Sequence, residues 1–499
     1  MESQKKLGAI LGYVYIGLQS IVSLIYIPLL LDGIGKSEYG IYQIVGSIIA
    51  YFSAMEASMC ASILKYYVEY KVKEDSRNME NVLAIGRRIF WVLSVVAVLI
   101  SIPVVFLIKI SYASTFTSAE LTESMWMFAL MVVNLIVNMN NYVYLAAING
   151  HERFVFIKVS SILILIIQPI IVYLIILHYH YAIAIVAVQC VLNVIMAYVR
   201  KYYAVRKLNC RVVYHGFDKP LFKAMLALTC ATIGVAVADQ IFWRTDQLIL
   251  GVMIGPDAVT EYSIGSQLNT MYISVACVLG GVILPTVTKI LVNGNADDLS
   301  HYFSKIGRYQ SILIVLLLTG VIAFGREFIY LLAGDGYEIS YYVALLLMFP
   351  YSIDLIQICG TTILQAQNKY GHRARMMMIS SILNIGLTIV LIKMMGLLGA
   401  AVSTACAIVL GNGFYLNYIY KKKVGLDIKQ FFNSIKAPWI IGLVILIVSI
   451  PLKAISISNL YVEFFVQVSI YILVYAMLIY LFALTPSEKL NIKLRLLRR

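Results

Sequence analysis

Apolar stretches as long as a bilayer is thick recur from one end of this chain to the other, and nothing constrains its fold more. A helix rises about 1.5 Å per residue, so about 20 apolar residues cross a hydrocarbon core about 30 Å thick. Such windows, closed by charged residues, Gly or Pro, predict fourteen spans. They lie at 7–31, 41–64, 89–108, 125–148, 159–177, 181–199, 224–250, 259–287, 310–332, 343–364, 377–394, 397–418, 437–455 and 463–484. A water-soluble fold is excluded, since 61% of the 499 residues are hydrophobic and only 13% charged, against about 25% charged in soluble domains. The first stretch follows Lys5 and Lys6 as a signal sequence does. It is too long for a signal core and has no small-residue cleavage site, so it is expected to be a retained span.

In a chain of this kind the formal charge of +14 is a topology signal. With the N-terminus inside, segments 1–6, 65–88, 149–158, 200–223, 288–309, 365–376, 419–436 and 485–499 hold 33 of the 39 Lys and Arg. The other side holds only Lys36, Lys109 and Lys453 outside the spans. This asymmetry places both termini in the cytoplasm and calls for an even number of spans. It also accounts for the basic residues without a nucleic-acid partner. The seven cysteines lie in spans or in a cytoplasmic loop with no metal-ligand spacing, and are expected as free thiols that pack as small hydrophobes.

Two sets of six spans repeat each other. Leu30, Ile34, Gly35, Tyr42 and Ile44 recur at an offset of 220 as Leu250, Ile254, Gly255, Tyr262 and Ile264. Gly150-His151 recurs as Gly371-His372, and Ser160-Ser161-Ile162-Leu163 as Ser380-Ser381-Ile382-Leu383. Both clusters fall where the fourth span turns into the fifth and the tenth into the eleventh. Halves of six helices start on the same side, so they relate by an axis along the membrane normal. The reading is an all-α integral membrane protein of about 14 transmembrane helices, in two six-helix lobes with a pseudo-two-fold axis plus two C-terminal helices. The lobes are residues 1–215 and 216–423; residues 424–499 hold the two extra helices and a basic tail. Such lobes are expected to enclose a central cavity.

With this 6+6+2 organisation, the stretch Ile34-Gly35, Tyr39-Gly40 and Tyr42, the residues Trp243, Asp246, Gly251, Gly255 and Tyr262, and the loop Gly371 to Arg375, the whole chain resembles a known family. It is similar to the polysaccharide and oligosaccharide flippases of the bacterial multidrug/oligosaccharidyl-lipid/polysaccharide exporter superfamily. The resemblance implies a substrate, polyprenyl-diphosphate-linked sugar, moved from the inner to the outer leaflet of the bacterial cytoplasmic membrane. It also implies membrane lipid and polysaccharide-assembly proteins as partners, and no cofactor.

A charge at a helix centre costs at least about 2.5–3.5 kcal/mol, so each one within a span is a candidate for function. These are Glu56 in the second span, Asp239, Arg244 and Asp246 in the seventh, and Asp354 near the middle of the tenth. Asp239 and Asp246 stand seven apart, on one helix face about 10 Å from each other, and that face is expected to meet the cavity. Arg244 suits the diphosphate, because a guanidinium keeps its charge when desolvated and matches phosphate geometry; snorkelling to the interface is its structural alternative. Glu56, Asp239 and Asp354 are where proton or cation coupling can enter, or else they hydrogen-bond between helices or pair with Arg244. Asn134, Asn138 and Asn141 form one stripe on the fourth span, suited to sugar hydroxyls or to holding helices together, and Gln189, Asn193, Gln267 and Asn269 add further polar groups.

Other signals fail. Gly33-Ile34-Gly35-Lys36-Ser37 imitates the end of a phosphate-binding loop, but Leu30 stands where that motif needs glycine. His178 and His180 have no acidic or thiol partner to complete a metal site. Two rival functions stay open: a cation-coupled drug exporter of the same fold, and a membrane glycosyltransferase or polymerase on the same lipid carrier. The exporter is disfavoured by what the resemblance implies: proton-coupled multidrug members of the superfamily commonly carry an aspartate within the first helix, where this chain offers Gln19 and no aspartate before Asp32 at its outer end. The enzyme is disfavoured by outer loops of no more than about sixteen residues, the longest being Lys109 to Ser124.

Overall fold

A computed structural model describes residues 2–277, 283–367, 369–484, 486 and 488–490. Among these, 88% are helical and there is no strand. Among the described residues thirteen helices are long and apolar enough to cross a membrane, and the chain is a multi-pass membrane protein. The eighth predicted span, 259–287, runs through residues 278–282, outside the described ones; what is described of it is a polar helix, Pro256–Cys277, and a short one, Ile283–Asn293.

The chain forms two compact units, 1–260 and 261–499. The first holds α1 (Glu2–Ile34), α2 (Lys36–Val72), α3 (Ser76–Ser111), α4 (Ser118–Gly150), α5 (Phe154–Ile176), α6 (Ile183–Tyr202), α7 (Lys219–Met253) and the first turn of α8 (Pro256–Cys277). Local chemistry sets their ends. Asp75 caps α3 by accepting from the Asn78 amide at 3.0 Å, and Asp218 caps α7 through the Leu221 amide at 3.0 Å, with Pro220 in the first turn. Thr117 and Glu120 close a reciprocal capping box on α4. The longest expected outer loop is in fact brief, because α3 ends at Ser111 and α4 starts at Ser118.

Gly35 lies between α1 and α2 with φ +84°, and Gly255 between α7 and α8 with φ +128°. The two glycines paired by the repeat therefore perform the same task, a sharp break that a side chain resists. At the centre of the unit α2 packs on α3, α4 and α7, while α1 packs on α5 and α4 on α6. Because α7 docks on α2, the compact unit runs past residue 215, where the repeat divides the sequence.

Burial is inverted relative to a soluble protein. Ser47, Glu56, Ser58 and Ser62 of α2 are buried, while Val92, Val95, Leu99 and Phe106 of α3 are all more than half exposed. Lipid solvates the latter, while the serine hydroxyls among the former donate to the carbonyls of Gln43, Ala54 and Met225.

The second unit continues α8 and adds α9 (Ile283–Asn293), α10 (Ala296–Ala333), α11 (Glu338–Ile356), α12 (Ile358–Ala366), α13 (Gly371–Met395) and α14 (Leu397–Ile408). Wide turns lead through α15 (Asn417–Ile419) to α16 (Ile428–Leu452) and α17 (Leu460–Leu478). The last two helices pack on α10, where the Tyr471 hydroxyl donates to Thr319 at 2.6 Å and that of Tyr475 to the Ile312 carbonyl at 2.8 Å. Tyr272 of α8 meets Ser352 of α11 at 2.7 Å.

Candidate functional site

A stripe of small residues on α2 determines where the first unit is hollow. Gly46, Ala50, Ser53, Ala54 and Ala57 recur at helical spacing, and with Tyr42 and Ile49 they line a cavity of about 480 Å³. Large side chains on that face would fill it. The opposite walls come from Met131 and Asn134 of α4, Gln189 of α6, and Ala236, Asp239 and Gln240 of α7. Asp239 is exposed there. Asn134, almost buried, accepts a hydrogen bond from the Asn193 amide group at 2.9 Å, which orients its amide.

One turn further along α7, Arg244 is half-buried within electrostatic reach of Tyr42 and Tyr51 of α2. Its neighbour Thr245 hydrogen-bonds the Tyr51 hydroxyl at 2.9 Å, and Gln247 accepts from Ser47. These contacts fix α7 on α2. The guanidinium is thereby held beside Tyr42, which lines the cavity, and can offer its N–H groups to an anion.

Of the eight site residues expected from sequence, Asp239 and Asn134 line the cavity and Arg244 stands at the edge of the same helix pair. Asp246 is only 2% exposed and sits close enough to Tyr51 for its charge to be felt there, so the face it shares with Asp239 does not open to the cavity along its whole length. Glu56 is 3% exposed, next to Tyr142, and its Oε1 has no hydrogen-bond partner. Asn141 is buried and Asn138 half-buried on the same α4 stripe as Asn134, and neither lines the cavity.

Asp354 belongs to a different arrangement, within the second unit. Its two carboxylate oxygens take Nη1 and Nη2 of Arg373 at 3.0 and 3.2 Å, a bidentate pair in which Asp354 is 9% exposed and Arg373 19%. Pairing with Arg244, one of its expected roles, gives way to this one. Arg373 lies in the first turn of α13, where a cation is unfavourable without such a carboxylate beside it.

Sequence reading missed Gln240, Tyr51 and Arg373. The small stripe at 46, 50, 53 and 57 was a legible signal for the cavity. The Arg373 partnership was not, because 19 residues and a broken helix separate it from Asp354.

Residues 8–291 match the family described as "Polysaccharide biosynthesis protein". Over 207 residues the chain is 22% identical to the probable low-salt glycan biosynthesis flippase Agl15 of Haloferax volcanii, a match that takes in 41% of this chain and 44% of that one, less than half of the relative's length. Among solved structures, the lipid II flippase MurJ in its inward closed conformation has a TM-score of 0.74 at 16% identity, covering 95% of this chain and 97% of its own. An inward-facing multidrug resistance MATE family transporter of the MOP superfamily has a TM-score of 0.64 at 11% identity, covering 81% and 96%. These likenesses establish the fold.

Proposed function

The chain belongs to the polysaccharide biosynthesis protein family, and from that premise we propose that it is a flippase for polyprenyl-diphosphate-linked oligosaccharide, working by alternating access of its duplicated halves, 1–215 and 216–423. One observation carries this reading: a chain whose surface is otherwise made for lipid keeps a polar cavity of about 480 Å³ among α2, α4, α6 and α7. Neutral amides at Asn134, Gln189 and Gln240 suit sugar hydroxyls, and Arg244 suits the diphosphate. The polyprenyl tail stays in lipid at a lateral opening while the head crosses, which avoids taking a long hydrocarbon through water. The basic asymmetry of the sequence supports a bacterial cytoplasmic membrane location with both termini inside, and polysaccharide-assembly proteins are the partners this role calls for.

Deleting the gene tests the proposal. The expected outcome is lipid-linked sugar accumulating in the inner leaflet with loss of surface polysaccharide; unchanged intermediates and unchanged polysaccharide overturn it. Coupling is assigned to the cavity-facing carboxylate Asp239 and the buried one Glu56, and a flipping rate indifferent to pH and to ion gradients refutes that assignment. The exposed Asp239 carboxylate in the cavity also favours a second reading, export of organic cations. Resistance to cationic dyes conferred by the wild type and lost in Asp239→Asn separates that reading from the first.

A further inference from the structure

A second hollow in the first unit lies away from the cavity, where α3 enters its apolar stretch. It has a volume of about 220 Å³ and is lined by Ile89, Val92 and Leu93 of α3, by Phe222 and Leu226 of α7, and by Tyr214 of the connecting segment, with Arg88 at its rim. The Arg88 guanidinium stacks 3.3 Å from the centre of the Tyr214 ring. His215 holds that wall in place: its ring meets Glu80 Oε2 at 2.6 Å and its backbone amide donates to Asn81 Oδ1 at 3.2 Å.

From Arg88 one stripe of α3 runs outward through Val92, Val95, Leu99, Ile102 and Phe106, all five more than half exposed. At about 1.5 Å per residue this lane matches an extended acyl chain. The charge around its head is one-sided. Arg87, Arg88, Arg211, Lys219 and Lys223 are exposed, while Glu80 is taken by His215 and Asp218 by the α7 cap.

We propose that this cleft holds one anionic phospholipid, its phosphodiester against Arg88 and one acyl chain along the α3 stripe. A guanidinium already stacked on a phenol ring is oriented in advance and keeps its N–H edge free for phosphate oxygens. Basic side chains at the end of an apolar span lie at the depth of lipid headgroups, where they attract anionic lipid. The site serves the bilayer around the protein, and its occupancy is independent of what the cavity transports.

Native mass spectrometry of the detergent-purified full chain, with phosphatidylglycerol and phosphatidylcholine added in equal amounts, tests it. The expected result is one phosphatidylglycerol retained in preference to phosphatidylcholine. Occupancy should fall about fivefold in Arg88→Ala, the effect of one interfacial cation, and less in Arg88→Lys, which keeps the charge and loses the planar stack. Lys73→Ala, which changes an exposed cation paired with Glu69 at 2.7 Å, should retain the lipid as the wild type does. Equal retention of the two lipids, or wild-type occupancy in Arg88→Ala, overturns the proposal. Displacement of the lipid by inorganic phosphate also overturns it, since the cleft is then an anion site without a lane for the chain.

Discussion

The two units place a carboxylate at bilayer depth in opposite ways. In the first, Asp239 is exposed to a cavity that a stripe of small residues on α2 keeps open. In the second, Asp354 is closed in a bidentate pair with Arg373. The first is open to the cavity; the second has its charge neutralised by a fixed neighbour. The sequence offers the two residues as equals, each an acidic side chain within an apolar span. Access separates them: Asp239 lines the cavity, while Asp354 is held by Arg373.

Breaking the Asp354 pair is expected to have the largest effect. Arg373→Ala leaves a buried carboxylate with no counter-charge, which costs about 3–5 kcal/mol in comparable sites. Folded protein recovered in detergent should fall sharply. The double variant Asp354→Leu with Arg373→Met removes both charges and should recover most of the loss. If the single and double variants are equally unstable, the pair is not what holds α11 to α13, and the contrast with Asp239 fails.

Asp239→Asn and Arg244→Ala examine the other side of the contrast. Loss of flipping at least about tenfold, which corresponds to about 1.4 kcal/mol of binding to the moving head, should come with thermal stability close to wild type. Complementation of a deletion strain, read beside a detergent melting curve, measures both. Full flipping by Arg244→Ala removes the phosphate role. A collapse of stability in Asp239→Asn would make Asp239 as structural as Asp354.

The helical architecture was legible because each apolar run must bury its backbone polar groups in its own hydrogen bonds, and length alone then reports a span. The eighth span was the weakest of the predictions for the same reason. Glu261, Ser263, Ser266, Gln267, Asn269 and Thr270 dilute α8, and of these Ser263 and Asn269 are buried. Which charges share an environment was not legible. Periodicity set Asp239 and Asp246 on one face, yet α2 covers Asp246 and leaves Asp239 open. Only the packing of a second helix decides that.

The repeat allows the halves to be compared at one chemical position. Gly35→Ala and Gly255→Ala each force a Cβ onto a backbone at positive φ, a cost of about 1–2 kcal/mol. No atom outside the adjacent residues lies within 4 Å of an added Cβ at Gly35, and at Gly255 the approach to Thr115 is no closer than 3.6 Å, so strain in the chain rather than collision sets the loss. Similar falls in melting temperature are expected. A loss at one glycine only would mean that the duplicated motif survives as sequence without a shared task.

The smallest effect concerns a single imidazole at the end of α4, outside the spans. His151 Nε2 faces the Tyr67 hydroxyl at 3.0 Å, and burial first, then the Lys71 and Arg153 charges, pushes its pKa below the ordinary value. The unfolded chain takes up the proton near pH 6.5, while the fold does so only at lower pH. Between those two values the unfolded state binds more protons, so stability rises with pH across the window and is lost as pH falls through it. Above the window both states are neutral and the slope vanishes. His151→Gln keeps a hydrogen-bonding group but cannot titrate, so its melting temperature should decline less than that of the wild type between pH 7 and pH 5. Parallel declines would show that acid acts elsewhere. Because Tyr67 is part of the first unit's core on α2, a confirmed slope ties the packing of the cavity-forming helix to one titrating group outside the membrane.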